Sequence, residues 1–436
     1  MDPVDSALQA RLLATLAGRG VAGSAALQAA LGRSQPTLSR LLAGLGSQLV
    51  VLGSGRRTRY ALPQALLGQP AQQSLHAVTE DGRITPWVRL TFLRGERVHV
   101  QAQGIDLLVQ GRLPWFLAPL RGEGFIGRQQ ARDLAAWGLS ANPEQWSLEQ
   151  TLFAALRLQD APGALVLGDS LGEGWGGAQA AAAPATDPDW DALAQATAGS
   201  LPAGSSAGGE QAKFLTRGAD GAPLLVKFSP PRDSPFGQRW HDLLHAEALA
   251  LALLAEHGVP VAHCRIVETA RRTYLVSQRF DRHGLHGRSH VVALHAVHDA
   301  FVQGPRQHWA ATCRALAQQR RLPAEAAAQA QGLLHFGRLI GNTDMHFGNL
   351  SLRVAWADFA RGRFTPAPVY DMLPMRWRPD NHSGELGLLP FSPEAIDLQS
   401  AARPLALLFW QRAAQAPALG AGFRALARAM AQRLVV

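Results

Sequence analysis

The sequence predicts an α+β protein in unequal parts: a small basic module of helices and a β-hairpin, then a long two-lobed domain, strand-rich first and helix-rich after. Three observations predict it. Residues 1–62 carry helical leucine stripes and two short β-like runs, with seven arginines against two acids, a net +5. Residues 200–280 read mostly as strands joined by Gly-rich turns, with one long helical run between them. The ten residues Gly341 to Leu350, GNTDMHFGNL, make a polar loop between a helical apolar run and a strand-like run.

Composition bounds the rest. The 436 residues exceed one ordinary core, and 47% hydrophobic with 17% charged residues suits a globular chain. Two cysteines exclude a disulfide framework and fit a reducing compartment, so a cytoplasmic, even nucleoid-associated, location is expected. The opening MDPVDSALQA lacks a basic segment followed by an apolar one, and no apolar run is long enough to span a bilayer, so neither a signal peptide nor a membrane partner is expected. Of 42 basic residues only Lys213 and Lys227 are lysines. A chain that otherwise uses arginine keeps lysine where a compact ammonium is needed.

Residues 1–62 are expected to form a winged helix-turn-helix. Leu8, Leu12, Leu13 and Leu16 mark one helix, Leu27 and Leu31 a second that Gly32 ends, and Leu38, Leu41, Leu42 and Leu45 a third that Ser34 caps. Ser34, Gln35, Thr37 and Arg40 lie on or near the outer face of the third helix. Arg56, Arg57 and Arg59 stand at or beside the tip of the hairpin. Hydroxyl, carboxamide and guanidinium groups on such a face suit DNA, with the helix in the major groove and the hairpin on phosphate. A protein-binding or dimerising module is the alternative.

A linker is expected over 63–73, then strands over 76–104 with a turn near Arg94-Gly95-Glu96, within a subdomain spanning 76–190 that ends in a Gly/Ala/Pro-rich stretch. The catalytic domain is expected over 195–436, its small lobe reaching about residue 285 and its large lobe running 291–436. In the small lobe, the turn Ser205-Ser206-Ala207-Gly208-Gly209 offers backbone N–H groups to phosphate, and Lys213 begins a strand. Lys227 sits between Val226 and Phe228 in a second strand, where burial demands an anionic partner. Glu247, on a helix expected over 241–257, is the candidate. Strands are expected over 261–268 and 273–280, placing Gln278 to Phe280 at a hinge.

In the large lobe, a carboxylate and a carboxamide five residues apart on a helix–loop–strand segment is how a kinase-type phosphotransferase addresses a metal-bound nucleotide. Asp344 is the candidate proton acceptor and Asn349 a candidate Mg²⁺ ligand, its oxygen suiting a hard ion. A strand over 364–371 would end in Asp371, 22 residues beyond Asn349, where the second metal ligand is needed.

The motifs LPWFLAPLRGEG (113–124), DAPGAL (160–165), SSAGGEQAKF (205–214), LLVKF (224–228), QRFDR (278–282), the central loop and PVYDMLPM (368–375), in this order, resemble the HipA family of bacterial serine/threonine kinase toxins. The N-terminal module resembles that of the YjjJ-like branch, which carries a DNA-binding domain on the same chain. The resemblance implies a HipA-like, two-lobed, protein-kinase-like fold that uses ATP and Mg²⁺, phosphorylates a protein hydroxyl and acts as the toxin of a toxin–antitoxin-like system. It implies ATP-site roles for Gly208, Gly209, Gln211, Lys213, Lys227, Glu247, Gln278, Phe280, His346, Asn349, Tyr370 and Asp371. It also implies autophosphorylation of Ser206, with Ser205 as the neighbouring alternative, and as partners an unidentified protein substrate and a HipB-like antitoxin, in a chain able to oligomerise. One departure stands out: Gly348 occupies the place of the family's loop lysine. The resulting D-x-H-x-G-N is similar to small-molecule kinases of the aminoglycoside-phosphotransferase type, one alternative. A DNA-binding regulator with a degenerate kinase fold is the other.

Overall fold

The computed structural model describes residues 3–102, 105–158, 160–168, 189–199, 211–379 and 386–435. The N-terminal module contains α1 (Pro3–Arg19), β1 (Val21–Gly23), α2 (Ser24–Leu31), α3 (Gln35–Leu45), β2 (Val50–Leu52) and β3 (Arg59–Ala61). The strands pair antiparallel in the order β1-β3-β2. Leucines from all three helices form its core. Gly32 closes α2 at φ 63, a left-handed conformation that costs glycine little. Ser34 precedes α3 without capping it through its side chain; its hydroxyl instead lies 3.2 Å from that of Thr37.

Residues 63–73, expected as a linker, are packed. Gln64 N–H donates to the Phe92 carbonyl at 3.0 Å, Leu66 is fully buried, and Leu67 N–H donates to Glu149. The fully buried Leu66 anchors this segment along the next sheet. That sheet holds β4 (Gln72–Val78), β5 (Ile84–Leu93), β6 (Arg97–Ala102), β7 (Ile105–Gln110) and β8 (Leu165–Leu167), antiparallel in the order β7-β6-β5-β4-β8. Helices α4 (Gly124–Asp133) and α5 (Leu148–Ala155) accompany it, α5 opened by a reciprocal Ser147–Gln150 capping box.

The small lobe is an antiparallel sheet of β9 (Lys213–Arg217), β10 (Pro223–Phe228), β11 (Cys264–Glu268) and β12 (Thr273–Gln278), in the order β11-β12-β10-β9. Strand alternation puts Leu224, Val226 and Phe228 on one face, where they pack with Trp190 and Ala194 of α6 (Trp190–Gly199). Lys227 therefore faces the other way, toward the long α7 (Pro235–Glu256). This helix starts six residues before the expected His241, because the Ser234 hydroxyl accepts from Gly237 N–H and Pro235 fits its first turn.

A short pair follows, β13 (Arg282–His283) with β14 (Gly287–Arg288), and then a small three-stranded sheet of β15 (Val291–Ala293), β16 (Ser351–Arg353) and β17 (Thr365–Pro366) in that order. The large lobe is built on α8 (Leu294–Phe301), α9 (Trp309–Gln318), α10 (Ala324–Leu339), α11 (Ala395–Leu398), α12 (Arg403–Gln415) and α13 (Ala421–Val435). Phe336, Phe409, Trp410 and Phe423 are fully buried between them. Among the described residues no helix is long and apolar enough to cross a membrane.

Three strand expectations need correction. The run 350–356 contributes only three strand residues before a 3₁₀ turn at Trp356–Arg361. The run 364–371 is a two-residue strand plus one isolated parallel bridge, Val369 to Val261, since prolines 366 and 368 have no N–H to donate. The run 261–268 becomes regular only at Cys264.

Two of the sequence motifs meet where the middle sheet joins the small lobe. Asp160 of DAPGAL pairs with Arg279 at 2.6 Å and Arg282 at 2.8 Å of QRFDR. Asp281 pairs with Arg282 at 2.6 Å and accepts from Gly163 N–H at 2.8 Å. Beside them His290, 2% exposed, accepts from Ala164 N–H through Nδ1 at 3.2 Å, and burial pushes its pKa down to about 3. The ordinary value is 6.5, so below that pH the unfolded chain takes up the proton and the native fold does not. His290 therefore drains stability as pH falls from 6.5 toward 3, by about 2 kcal/mol at pH 5. Denaturant unfolding of wild type and His290→Gln at pH 7 and pH 5 should show their stability gap moving by that amount in the variant's favour; a pH-independent gap would refute it.

Candidate functional site

Lys227 lies on the central strand β10, in register with Leu275 of β12 and Lys213 of β9. Its ammonium meets Glu247 of α7 at 2.6 and 2.8 Å and also contacts the Asp371 carboxylate. The Lys227 and Glu247 side chains are 6% and 2% exposed, and Asp371 keeps 22%. Burial opposes the Lys227 charge, but Asp371 and Glu247 outweigh it and hold the pKa above its ordinary value. Burial lifts the Glu247 carboxyl despite Lys227. For Asp371 burial is overcome by Lys227 and, less strongly, Lys213, and its pKa falls below the ordinary one.

The loop opens at Gly341, φ 75, where an added Cβ would lie 2.7 Å from the Trp377 ring. Asn342 then ties the two halves of the site. Its side chain accepts from Asp344 N–H at 3.0 Å and donates to the Asp371 carbonyl at 3.1 Å. Asp371 itself adopts φ 54, rare for a residue with a side chain and held here by that bond and its ion pair. Asn349 donates from Nδ2 to the Asp344 carbonyl at 2.8 Å, which leaves its amide oxygen as ligand atom. Tyr370 OH donates to the Gly348 carbonyl at 2.7 Å and meets Ser351, and Trp309 Nε1 donates to the His346 carbonyl at 3.0 Å. The Asp344 side chain is 46% exposed, with His346 Nε2 3.8 Å away.

At the hinge, Phe280 stacks on Tyr370 at 5.6 Å and 28°, while Gln278 is exposed and spends its N–H on the His263 carbonyl. Gln211, just ahead of β9, is half-buried, and its Nε2 has no partner among the described residues. Ser205, Ser206, Gly208 and Gly209 lie outside the described residues. So the structure gathers Lys227, Glu247, Asp344, Asn349 and Asp371 around Asn342, with Lys213, His346 and Tyr370 adjoining. Asn342 was missed; its signal was membership of a four-asparagine set with two members in this loop. A Cβ on Gly348 would lie 2.9 Å from the His346 ring, to which Gly348 N–H donates, so no side chain enters there unless that ring moves. Cys264, half-buried near Glu247, has its thiol pushed up to about 12 and is no nucleophile at neutral pH.

The DNA candidates stand apart from this cluster. Ser34, Gln35, Arg40, Arg56, Arg57 and Arg59 are exposed and Thr37 is half-buried. Arg40 pairs with Asp5 at 3.3 Å, an exposed contact worth only about 0–1 kcal/mol.

Residues 205–435 match the family described as the HipA-like C-terminal domain, and residues 69–175 match the YjjJ-like toxin middle domain. More than half of the chain is thus that of a HipA-like protein. The chain is 34% identical over 426 residues to Toxin YjjJ of Escherichia coli (strain K12), covering 94% of each. It belongs to the HipA/YjjJ family of toxins. The fold is similar to that of HipA in a Shewanella oneidensis MR-1 complex of HipA, HipB and operator DNA, with a TM-score of 0.54 and 17% identity over 83% of this chain and 96% of that one. A looser likeness, TM-score 0.35 and 14% identity over 52% of this chain and 88% of the other, links it to the Helicobacter pylori proinflammatory kinase CtkA and carries no structural argument.

Proposed function

We propose that the chain is an ATP-dependent serine/threonine protein kinase, the toxin of a toxin–antitoxin-like system, with its own winged helix-turn-helix for DNA. The observation that carries the reading is the buried Lys227 ammonium held by Glu247 and Asp371 beside a loop bearing Asp344 and Asn349. A buried ammonium with carboxylates on either side is costly scaffolding, but it suits a site that must receive phosphates. Asp344, exposed on its loop, can accept the proton of an incoming hydroxyl. Lys227, steadied by Glu247, presents positive charge to the α- and β-phosphates of ATP, and Phe280 and Gln278 border the adenine end. The oxygen donors left on Asn349 and Asp371 fit a hard cation; magnesium bound there would neutralise phosphate charge.

Incubation of purified protein with labelled ATP and Mg²⁺, followed by mass spectrometry, is expected to find phosphate on Ser206 or Ser205. Absence of label from the chain and from cell-extract proteins would overturn the kinase reading. That outcome would favour a regulator with a silent site, a reading to which Gly348, closed against His346, lends support. Transfer to a small molecule alone would point instead to aminoglycoside-type chemistry.

For the DNA-binding part, three helices, a β1-β3-β2 sheet and exposed arginines at the hairpin support the reading. Removing an arginine that neutralises one phosphate should reduce the slope of log affinity against log salt by about 0.9. Arg56→Ala with Arg57→Ala, titrated against duplex DNA at several salt concentrations, should show a shallower slope and weaker binding. An unchanged slope would remove the hairpin from the interface.

A further inference from the structure

Nearer the start of α7 than Glu247 lies a cluster that the proposed function leaves unused. His241 and His245 stand four residues apart, so the helix presents both on one face. Their rings are 4.5 Å apart. Glu268, the last residue of β11, joins them: one ligand atom from each of the three residues lies within 4.8 Å of the other two. We propose that His241, His245 and Glu268 bind a divalent transition-metal ion of the zinc type.

Hydrogen bonding prepares His241 and Glu268 for that role. His241 Nε2 is 2.8 Å from the Ala418 carbonyl, which can only accept. The ring proton therefore sits on Nε2, and Nδ1 keeps its lone pair. That lone pair faces Thr273 at 2.7 Å, whose hydroxyl donates to it and can turn away. Backing of a liganding imidazole by a backbone carbonyl is the usual way a metal-binding histidine is oriented. Glu268 is divided in the same manner. Oε2 is held by the Arg232 guanidinium, and Oε1 faces His245 Nε2 at 3.0 Å. Two imidazoles and one carboxylate oxygen select a borderline ion over magnesium or calcium, which want oxygen alone, and three protein ligands leave a fourth position for water.

The alternative for the same atoms is an ordinary His245–Glu268–Arg232 polar cluster, with Glu268 39% exposed. In that arrangement His241 Nδ1 is occupied by the Thr273 hydroxyl alone, which must turn aside for a metal to take its place. An ion here would tie α7 to β11 and, through Ala418, steady the segment between α12 and α13. The same helix carries Glu247 to Lys227, but the metal site stands whether or not the chain transfers phosphate.

The test uses full-length, tag-free protein stripped with chelator and dialysed against Zn²⁺ in excess Mg²⁺, which fills oxygen-only sites. Wild type should retain one Zn²⁺ per chain and melt at a higher temperature with Zn²⁺ than without it. His245→Gln and Glu268→Gln should weaken zinc binding by about 100-fold or more, beyond the loss seen when only the groups behind a ligand are removed. They should also lose the thermal shift. His257→Gln, an exposed histidine just past the end of α7, should leave the affinity unchanged. Failure of wild type to retain zinc, or equal retention by the two ligand variants, would overturn the proposal.

Discussion

Asp344→Ala is expected to lower phosphate transfer from ATP by about 10²–10⁴-fold, the usual loss when a general base is removed. The melting temperature should not move. The two expectations come from different parts of the same residue. The Asp344 carboxylate is half exposed and lies 3.8 Å from the His346 ring, so the side chain holds little of the fold together. The loop is fixed instead through the Asp344 backbone, whose N–H and carbonyl are bonded to Asn342 and Asn349. Alanine keeps both bonds. Single-turnover transfer with saturating ATP, run beside thermal melts, checks the pair. Transfer at the wild-type rate would remove Asp344 from the chemistry, and a large drop in melting temperature would make it a structural residue.

Lys227→Met should have the largest effect on the fold. It removes the cation from between Glu247 and Asp371 and leaves buried negative charge without compensation. Breaking a buried pair in this way costs about 3–5 kcal/mol. The cost should depend on pH in a definite direction. Burial already lifts the Glu247 carboxyl above its ordinary 4.5, and loss of Lys227 lifts it further. A group whose folded pKa is raised gives its full stability below the unfolded value and loses it as pH rises through the folded one. The variant's deficit should therefore be small near pH 4.5 and grow toward pH 8. Adding Glu247→Gln should recover part of the loss at pH 8 and little at low pH. If the single and double variants unfold alike at every pH, the carboxylate is not the source of the instability.

The candidate site was legible where chemistry restricts residue type. Lysine among forty arginines marked Lys227, and an acid and an amide five apart marked the loop. What was not legible was how the parts are joined. Asn342 carries no charge and fits no spacing rule, yet its one side chain bonds both Asp344 and Asp371. Asp371 was expected at the end of a strand; prolines 366 and 368 remove two of that strand's donors, and the residue is held in a left-handed backbone conformation instead. The segment 63–73 looked like a linker because it is rich in glutamine and carries two prolines and a glycine, while Leu66, fully buried, decides that it packs.

By itself the sequence determined most of the helices and which residue types are present for the proposed phosphate chemistry, because apolar periodicity, caps and the rarity of lysine act over a few neighbouring residues. Only the tertiary structure decided that Lys227 and Asp371, 144 residues apart, share one ion pair, and that His241, His245 and Glu268 converge on the helix beside them. Such contacts are fixed by how a helix lies across a sheet, a geometry set by the summed packing of many side chains rather than by any short stretch of chain.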